Sequence, residues 1–279
     1  MSKISHFKPK VKLSGNEKYY YVQNVVKQNQ LHTICESGKC PNKSECWGRG
    51  TATFMILGEI CTRSCKFCAV KHGKPQLPNR EEIEALANTI KLMQLKHAVI
   101  TSVTRDDLPD GGADFWYQTI KRIKEVNSAI TIETLIPDFK GNIASLDRVI
   151  EAHPDIISHN VETVEALSRT IRVQADYRRS LDVLRHIAAS GMKTKSGIMI
   201  GLGETLEQIK QTMSDIKDTG CTILTIGQYL QPSIENAIVA QYHQPEYFAE
   251  LRIIGLEVGF SIVESAAEVR SSYRAEQHI

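Results

Sequence analysis

A chain of 279 residues is long enough for one large domain or two small ones and buries most of its apolar surface on folding, so its size demands no staple. Its 34 Lys and Arg stand against 32 Asp and Glu, a net charge of +2, which excludes the positive excess that wrapping nucleic acid or lying on an anionic membrane requires. The opening stretch MSKISHFKPKVKLSG is basic without an apolar h-region, and no apolar run approaches the roughly 20 residues of a membrane helix, so the sequence predicts a soluble, cytoplasmic protein.

Residues 1–50 lack a strand–helix rhythm and read as an N-terminal extension: a basic arm, a helix around NEKYYYVQNVVKQNQ, then Cys35, Cys40 and Cys46 of CESGKCPNKSEC. From residue 51 onward, short β-branched or apolar runs alternate with stretches of helical period. The predicted strands are TATFMILGE (51–59), HAVITSV (97–103), AITIETLI (129–136), DIISHNVE (155–162), KTKSGIMIG (193–201), CTILTIGQY (221–229) and FSIVES (260–265). Among the intervening helices, NREEIEALANTIKLMQL opens on an Asn cap and carries Ile83, Leu86, Ala87 and Ile90 on one face. ETLEQIKQTMSDIKDTG stops at Gly220.

Nearly continuous apolar strands joined by helices belong in a parallel sheet covered on both faces. The first strand leads into no GxGxxG. It leads instead into CTRSCKFC, with Cys61, Cys65 and Cys68 at the strand's C-terminal end, where parallel α/β enzymes carry their active-site loops. A closed eight-stranded barrel typically takes around 250 residues by itself. The expected architecture is therefore α/β: a partial, open (β/α) TIM-type barrel of about six parallel strands over residues 51–260. The extension 1–50 precedes it and a C-terminal segment, 261–279, comes after it.

Seven cysteines, six of them within residues 35–68 and none behind a secretion signal, make disulfides a poor explanation. Clustered thiolates are soft donors that select zinc, copper(I) or iron–sulfur. A four-iron cubane has four corners, so three cysteines on one loop leave one iron open to a ligand that is not protein. The alternative is zinc completed by a nearby histidine such as His72, which would make the chain a zinc-stabilised binding module. Cys221 reads as a buried small hydrophobe, and His159 and His97 as satisfied core groups.

The C-x3-C-x2-C spacing, with Phe67 before its last cysteine, resembles the radical S-adenosylmethionine superfamily. That resemblance implies a four-iron cluster on Cys61, Cys65 and Cys68 whose open corner chelates S-adenosylmethionine. It further implies Phe67 beside the adenine, Gly111 and Gly112 of DGGADF near the methionine amino group, and Asn160 and Glu162 of HNVET near the ribose. Thr101 and Lys195, near the ends of other strands, are further candidate contacts. For each of these the ordinary alternative is packing, a loop, or a strand-end hydrogen bond.

CESGKCPNKSECW, the second triplet, TSVTRDDLPDGGADFW and the C-terminal RSSY together resemble the lipoyl synthase family over about residues 30–274. The resemblance implies a sulfurtransferase that inserts two sulfur atoms at C6 and C8 of an octanoyl chain on a carrier lysine. It implies two 4Fe-4S clusters and S-adenosyl-L-methionine as cofactors. By the same resemblance the auxiliary cluster, held by Cys35, Cys40, Cys46 and Ser272, with Ser271 as the fallback, would be the sulfur donor, and Arg270 would pair with a sulfide or carboxylate nearby. The implied partners are an octanoylated lipoyl carrier domain, of a 2-oxoacid dehydrogenase E2 or a glycine cleavage H protein, and an electron donor such as flavodoxin or ferredoxin. The competing enzyme reading is another radical sulfur inserter, of the biotin-synthase or methylthiotransferase type.

Overall fold

Helix α1 (Glu17–Gln28) begins where the Asn16 side chain accepts the Tyr19 N–H at 2.9 Å, satisfying one of the donors that a helix start leaves unpaired. It is followed by a two-residue strand β1 (His32–Thr33) and the short helices α2 (Ile34–Ser37) and α3 (Lys43–Gly48). This computed structural model describes residues 15–279; residues 1–14 of the basic arm lie outside them. Trp47 of α3 is fully buried, its ring 5.5 Å from that of Tyr19 and 4.5 Å beneath the Lys43 ammonium. Val22, Val26 and Trp47 join one apolar cluster with Phe54, Ile100 and Trp116, so the extension shares its core with the sheet.

The parallel strands are β2 (Thr53–Ile56), β3 (His97–Ser102), β4 (Thr131–Leu135), β5 (Ile156–Ser158), β6 (Thr194–Ile200), β7 (Ile223–Gln228) and β8 (Ile262–Ser265). Each pairs parallel with the next, β1 pairs antiparallel with β2, and the eight strands lie in chain order. The sheet does not close on itself among the described residues, which makes it an open barrel. Seven strands run parallel, one more than the expected six, because FSIVES supplies β8 beyond residue 260.

Helices α4 (Glu81–Leu92), α5 (Ala113–Val126), α6 (Ile143–Glu151), α7 (Glu165–Ile171), α8 (Tyr177–Ala189), α9 (Leu206–Lys217) and α10 (Pro245–Val258) make the connections. Asn79 accepts the Glu81 N–H at 3.0 Å, one residue earlier than the position that caps α4. Helix α9 starts in a capping box between Thr205 and Gln208 and ends three residues before Gly220, whose φ is +91°. No helix among the described residues is long and apolar enough to cross a membrane.

Candidate functional site

The loop after β2 is fixed by backbone hydrogen bonds to three other parts of the barrel. The Thr62 N–H reaches the Thr104 carbonyl at 3.0 Å, the Lys66 N–H reaches Ile171 O at 2.8 Å, and the Lys66 carbonyl accepts from the Ala237 N–H at 2.8 Å. Asn236 adds a side-chain bond to the Cys68 carbonyl at 2.9 Å. Within this frame the Cys61 sulfur accepts two backbone amides, from Arg63 at 3.4 Å and Thr104 at 3.3 Å.

Burial pushes the Cys65 thiol up to about 11 and the Cys68 thiol up to about 12, with the neighbouring thiols adding to both shifts. The first trio behaves alike. Burial, then repulsion from Cys40, raises Cys35 to about 11; burial, then Cys35 and Cys40, raises Cys46 to about 12, and Cys40 is also raised, by burial. Thiols that resist ionisation side by side release their protons when a cationic iron group takes their place.

A cavity of about 660 Å³ opens inside the barrel between the two trios. Cys35 and Cys40 line it on one side, Cys61, Cys65 and Cys68 on another. A second cavity, of about 600 Å³, is bordered by Cys35, Cys40 and Cys46. Ser272 and Arg270 line both, whereas Ser271 lines the first alone and its hydroxyl accepts from Asn160 at 2.7 Å. Of the two serines, Ser272 alone borders the cavity that also meets Cys35, Cys40 and Cys46. Arg270 turns back on its own backbone segment, donating to Val269 O at 2.6 Å, and lies close enough to Cys40 to oppose the rise in its pKa.

These donors fit iron–sulfur clusters. The six clustered cysteines are free thiols, soft donors arranged in threes around shared space. Among the described residues no three Cys, His, Asp or Glu side chains are grouped to hold a single ion. Ligands of one zinc sit about 2.3 Å from it, whereas the ligands of a cubane are spread over separate corners.

Of the other predicted contacts, Phe67, Thr101, Asn160 and Glu162 line the first cavity. Phe67 also packs on the apolar cluster of Ile171, Leu202 and Tyr229, and the Thr101 hydroxyl donates to Leu135 O at 3.0 Å. Asn160 donates to Glu162 at 3.1 Å and leaves its own buried Oδ1 without a partner among the described residues. Glu162 reaches the cavity through a left-handed backbone, φ +70°, beyond the end of β5, and not through strand alternation.

Lys195, Gly111 and Gly112 stand elsewhere. Lys195 is the second residue of β6, at the opposite end of the strand from the cysteine loop. There it is fully buried and donates to both oxygens of Glu133, at 2.8 and 2.9 Å. Gly111 and Gly112 adopt φ of +64° and +88° at the start of α5. A Cβ on them would meet Phe139 at 2.9 Å and Leu57 at 2.6 Å, so close packing accounts for both. His159 has both ring nitrogens bonded, to Ile136 O at 2.9 Å and Ser180 Oγ at 3.0 Å. His97 has one, bonded to Thr131, and its Nε2 has no partner among the described residues. Cys221 is fully buried.

Two arginines join the site without having been marked by the sequence. Arg63, inside the second triplet, pairs with Asp106 at 2.7 Å and with Asp138 at 2.6 Å. Asp138 is held well below the usual carboxylate range against its burial, chiefly by Arg63. Arg172 lines the cavity, donates to Val161 O and Ser180 Oγ, and faces both Glu162 and Cys65 electrostatically. Arg63 could have been marked by the acidic TRDD segment; Arg172 has no local motif.

The family model described as the radical SAM superfamily matches residues 55–216. Lipoyl synthase from Bacteroides thetaiotaomicron is 56% identical over 270 residues, covering 97% of this chain and 96% of that one. The chain belongs to the lipoyl synthase family. Lipoyl synthase of Porphyromonas gingivalis is 55% identical over 97% of the chain and 96% of its own, and mitochondrial lipoyl synthase of Nematostella vectensis is 55% identical over 98% and 95%. Among solved structures, methylornithine synthase superposes with a TM-score of 0.56 at 14% identity, over 93% of this chain and 86% of that one. Streptococcus suis SuiB bound to S-adenosylmethionine gives 0.59 at 12%, over 80% and 54%; these two share the fold. As a lipoyl synthase the chain is a radical S-adenosylmethionine sulfurtransferase that uses S-adenosylmethionine and four-iron cluster chemistry.

Proposed function

We propose that this lipoyl synthase divides its reaction between two cysteine trios that share one cavity. Cys61, Cys65 and Cys68 hold the cluster that binds S-adenosylmethionine; Cys35, Cys40, Cys46 and Ser272 hold an auxiliary four-iron cluster. Bound there, the first group supplies the electron that cleaves S-adenosylmethionine to a 5′-deoxyadenosyl radical, and the second supplies the sulfur inserted at C6 and C8 of an octanoyl-lysine.

The observation that carries this reading is that Cys35, Cys40, Cys61, Cys65, Cys68 and Ser272 all border one space of about 660 Å³. An acyl carbon in that space lies within reach of both trios. Asn160, with its unpaired Oδ1, and Glu162 offer hydrogen bonds to a ribose. Arg172 offers the buried cation that a methionine carboxylate needs, and Phe67 an apolar face for adenine. Serine oxygen is a harder partner than thiolate for iron in a sulfur-rich cluster, so Ser272 would hold its corner less tightly than Cys35, Cys40 and Cys46 would hold theirs.

Residues 1–50 act as the layer carrying the auxiliary cysteines, 51–260 as the radical-generating barrel and 261–279 as the segment that brings Ser272. Ile34, Lys39, Leu230 and Pro232 border the cavity, and Lys39 donates to the Pro232 carbonyl at 3.4 Å. The acyl arm of an octanoylated carrier domain, of a 2-oxoacid dehydrogenase E2 or glycine cleavage H protein, enters there, with flavodoxin or ferredoxin as reductant.

Replacing one cysteine in each trio tests the division. Cys65→Ala abolishes S-adenosylmethionine cleavage; Cys40→Ala retains cleavage and loses lipoyl product. Equal loss of cleavage in both variants contradicts it.

A further inference from the structure

Lys195 and Glu133 form an ion pair with no exposure on either side chain, at the end of the barrel opposite the cysteine loop. Ser158 donates a further hydrogen bond to Glu133 at 3.0 Å. An ammonium carries three protons and accepts none. Two point at the Glu133 oxygens, and the third reaches His278 Nδ1 at 3.1 Å. Nδ1 therefore accepts, which fixes His278 as the neutral tautomer protonated on Nε2; that buried N–H has no hydrogen-bond partner among the described residues and faces Glu264 at 3.9 Å. His278 is 1% exposed, and Lys193 donates to its carbonyl at 2.5 Å. A buried imidazole bonded to a desolvated ion pair is a committed contact, because leaving that third proton unpaired costs the full desolvation of the group.

What this contact holds is the strap that carries Ser272. From Ala266 the chain runs along β7: Ala266 N–H bonds Ile226 O at 3.2 Å and Gln228 N–H bonds Ala267 O at 3.3 Å. It then crosses the layer of the first trio, where Asn42 donates to Glu268 O at 2.6 Å, Tyr273 donates to Glu45 at 3.1 Å and Arg49 pairs with Glu276. Among the described residues no hydrogen bond holds the Ser272 hydroxyl itself, so its position is inherited from the strap. On the far side of Ser272, the surface pair Arg49–Glu276 is 39% and 41% exposed and contributes little in water, so the buried fastenings there are Tyr273, bonded to Glu45, and, at the end of the strap, His278.

We propose that His278 is a positioning residue for the fourth ligand of the auxiliary cluster: seated on the Lys195–Glu133 pair, it anchors the strap that keeps Ser272 against Cys35, Cys40 and Cys46. The proposal rests on Ser272 being that ligand.

The test compares anaerobically prepared, fully loaded parent, His278→Ala, His278→Leu, His278→Gln, Ser272→Ala and the Ser272→Ala/His278→Ala double variant. The Leu variant fills the volume without accepting a proton and stands in should the Ala variant fail to fold. The readouts are the rate at which a ferrous chelator draws iron from the auxiliary cluster, and amide exchange over residues 270–274. S-adenosylmethionine cleavage serves as the control for the other cluster. Ala and Leu should speed iron release about tenfold, close to Ser272→Ala, with cleavage intact and faster exchange in the strap. Gln, which can accept from Lys195, should restore the parental rate, and the double variant should release iron no faster than Ser272→Ala alone. Parental rates in Ala and Leu, no rescue by Gln, or additivity in the double variant would overturn the anchor while leaving the serine ligand standing. A parental rate in Ser272→Ala would overturn the ligand assignment and the anchor with it.

Discussion

Arg172 and His159 are joined through one hydroxyl. Arg172 donates to Ser180 Oγ at 3.0 Å, and Ser180 bonds His159 Nε2 at the same distance. With its guanidinium facing Glu162 and Cys65 across the cavity, Arg172 is the residue assigned to the methionine carboxylate. Arg172→Gln should raise the KM for S-adenosylmethionine by roughly tenfold to a hundredfold, the loss of one charged hydrogen bond. An unchanged KM with only a lower melting temperature would make Arg172 purely structural. His159 is 3% exposed, and burial, then Arg172, pulls its pKa down to about 4. The unfolded chain, titrating near 6.5, binds the extra proton first, so stability falls as pH drops from about 6.5 toward 4. The full penalty is roughly 3 kcal/mol. Denaturant midpoints at pH 5 and pH 7 should therefore draw together in His159→Gln; a pH dependence equal to the parent's would refute that origin.

At the scale of elements, one strand glycine admits the C-terminal strap. A Cβ at Gly227 in β7 would lie 2.1 Å from the Val269 carbonyl, whereas one at Gly197 in β6 would first meet Thr225 Oγ1 at 2.5 Å and Asn160 Oδ1 at 2.9 Å, with Ser271 Oγ of the strap at 3.3 Å. Backbone cannot yield as a flexible side chain does, so Gly227→Ala should cost about 1–3 kcal/mol and displace the strap. The measurements are the unfolding midpoint and the iron retained by Cys35, Cys40 and Cys46; a variant unchanged in both would show that the strap is not held by this contact. The strands themselves are legible because parallel strands buried on both faces are written as apolar runs, such as the four buried residues of β2. The two-residue β1 is not, since no periodicity exists over two residues. Lys195 differs. Its place near the start of the predicted strand 193–201 already puts it at the end away from the cysteine loop; what the sequence hides is its partner, Glu133, 62 positions away. The glycine pair of DGGADF is also ambiguous, because left-handed backbone at a helix start and close approach to a ligand call for the same residue.

For the whole molecule, the open barrel brings cysteines from both sides of β2 to one cavity, and the strap after β8 returns Ser272 to the same place. The spacing of the trios in sequence allows this meeting without requiring it, because fourteen residues can stretch or fold back. What sequence could not supply is the long-range pairing: Asn160 with Ser271, Asn42 with Glu268, Tyr273 with Glu45. Iron and acid-labile sulfide per chain, measured before and after a single turnover with octanoylated carrier domain, address the two-cluster division directly. Two four-iron clusters give about eight irons and eight sulfides at the start. Formation of one lipoyl group should be accompanied by the loss of about four irons, with Cys61, Cys65 and Cys68 keeping theirs. About four irons at the start, or lipoyl product with no loss of iron or sulfide, would contradict it.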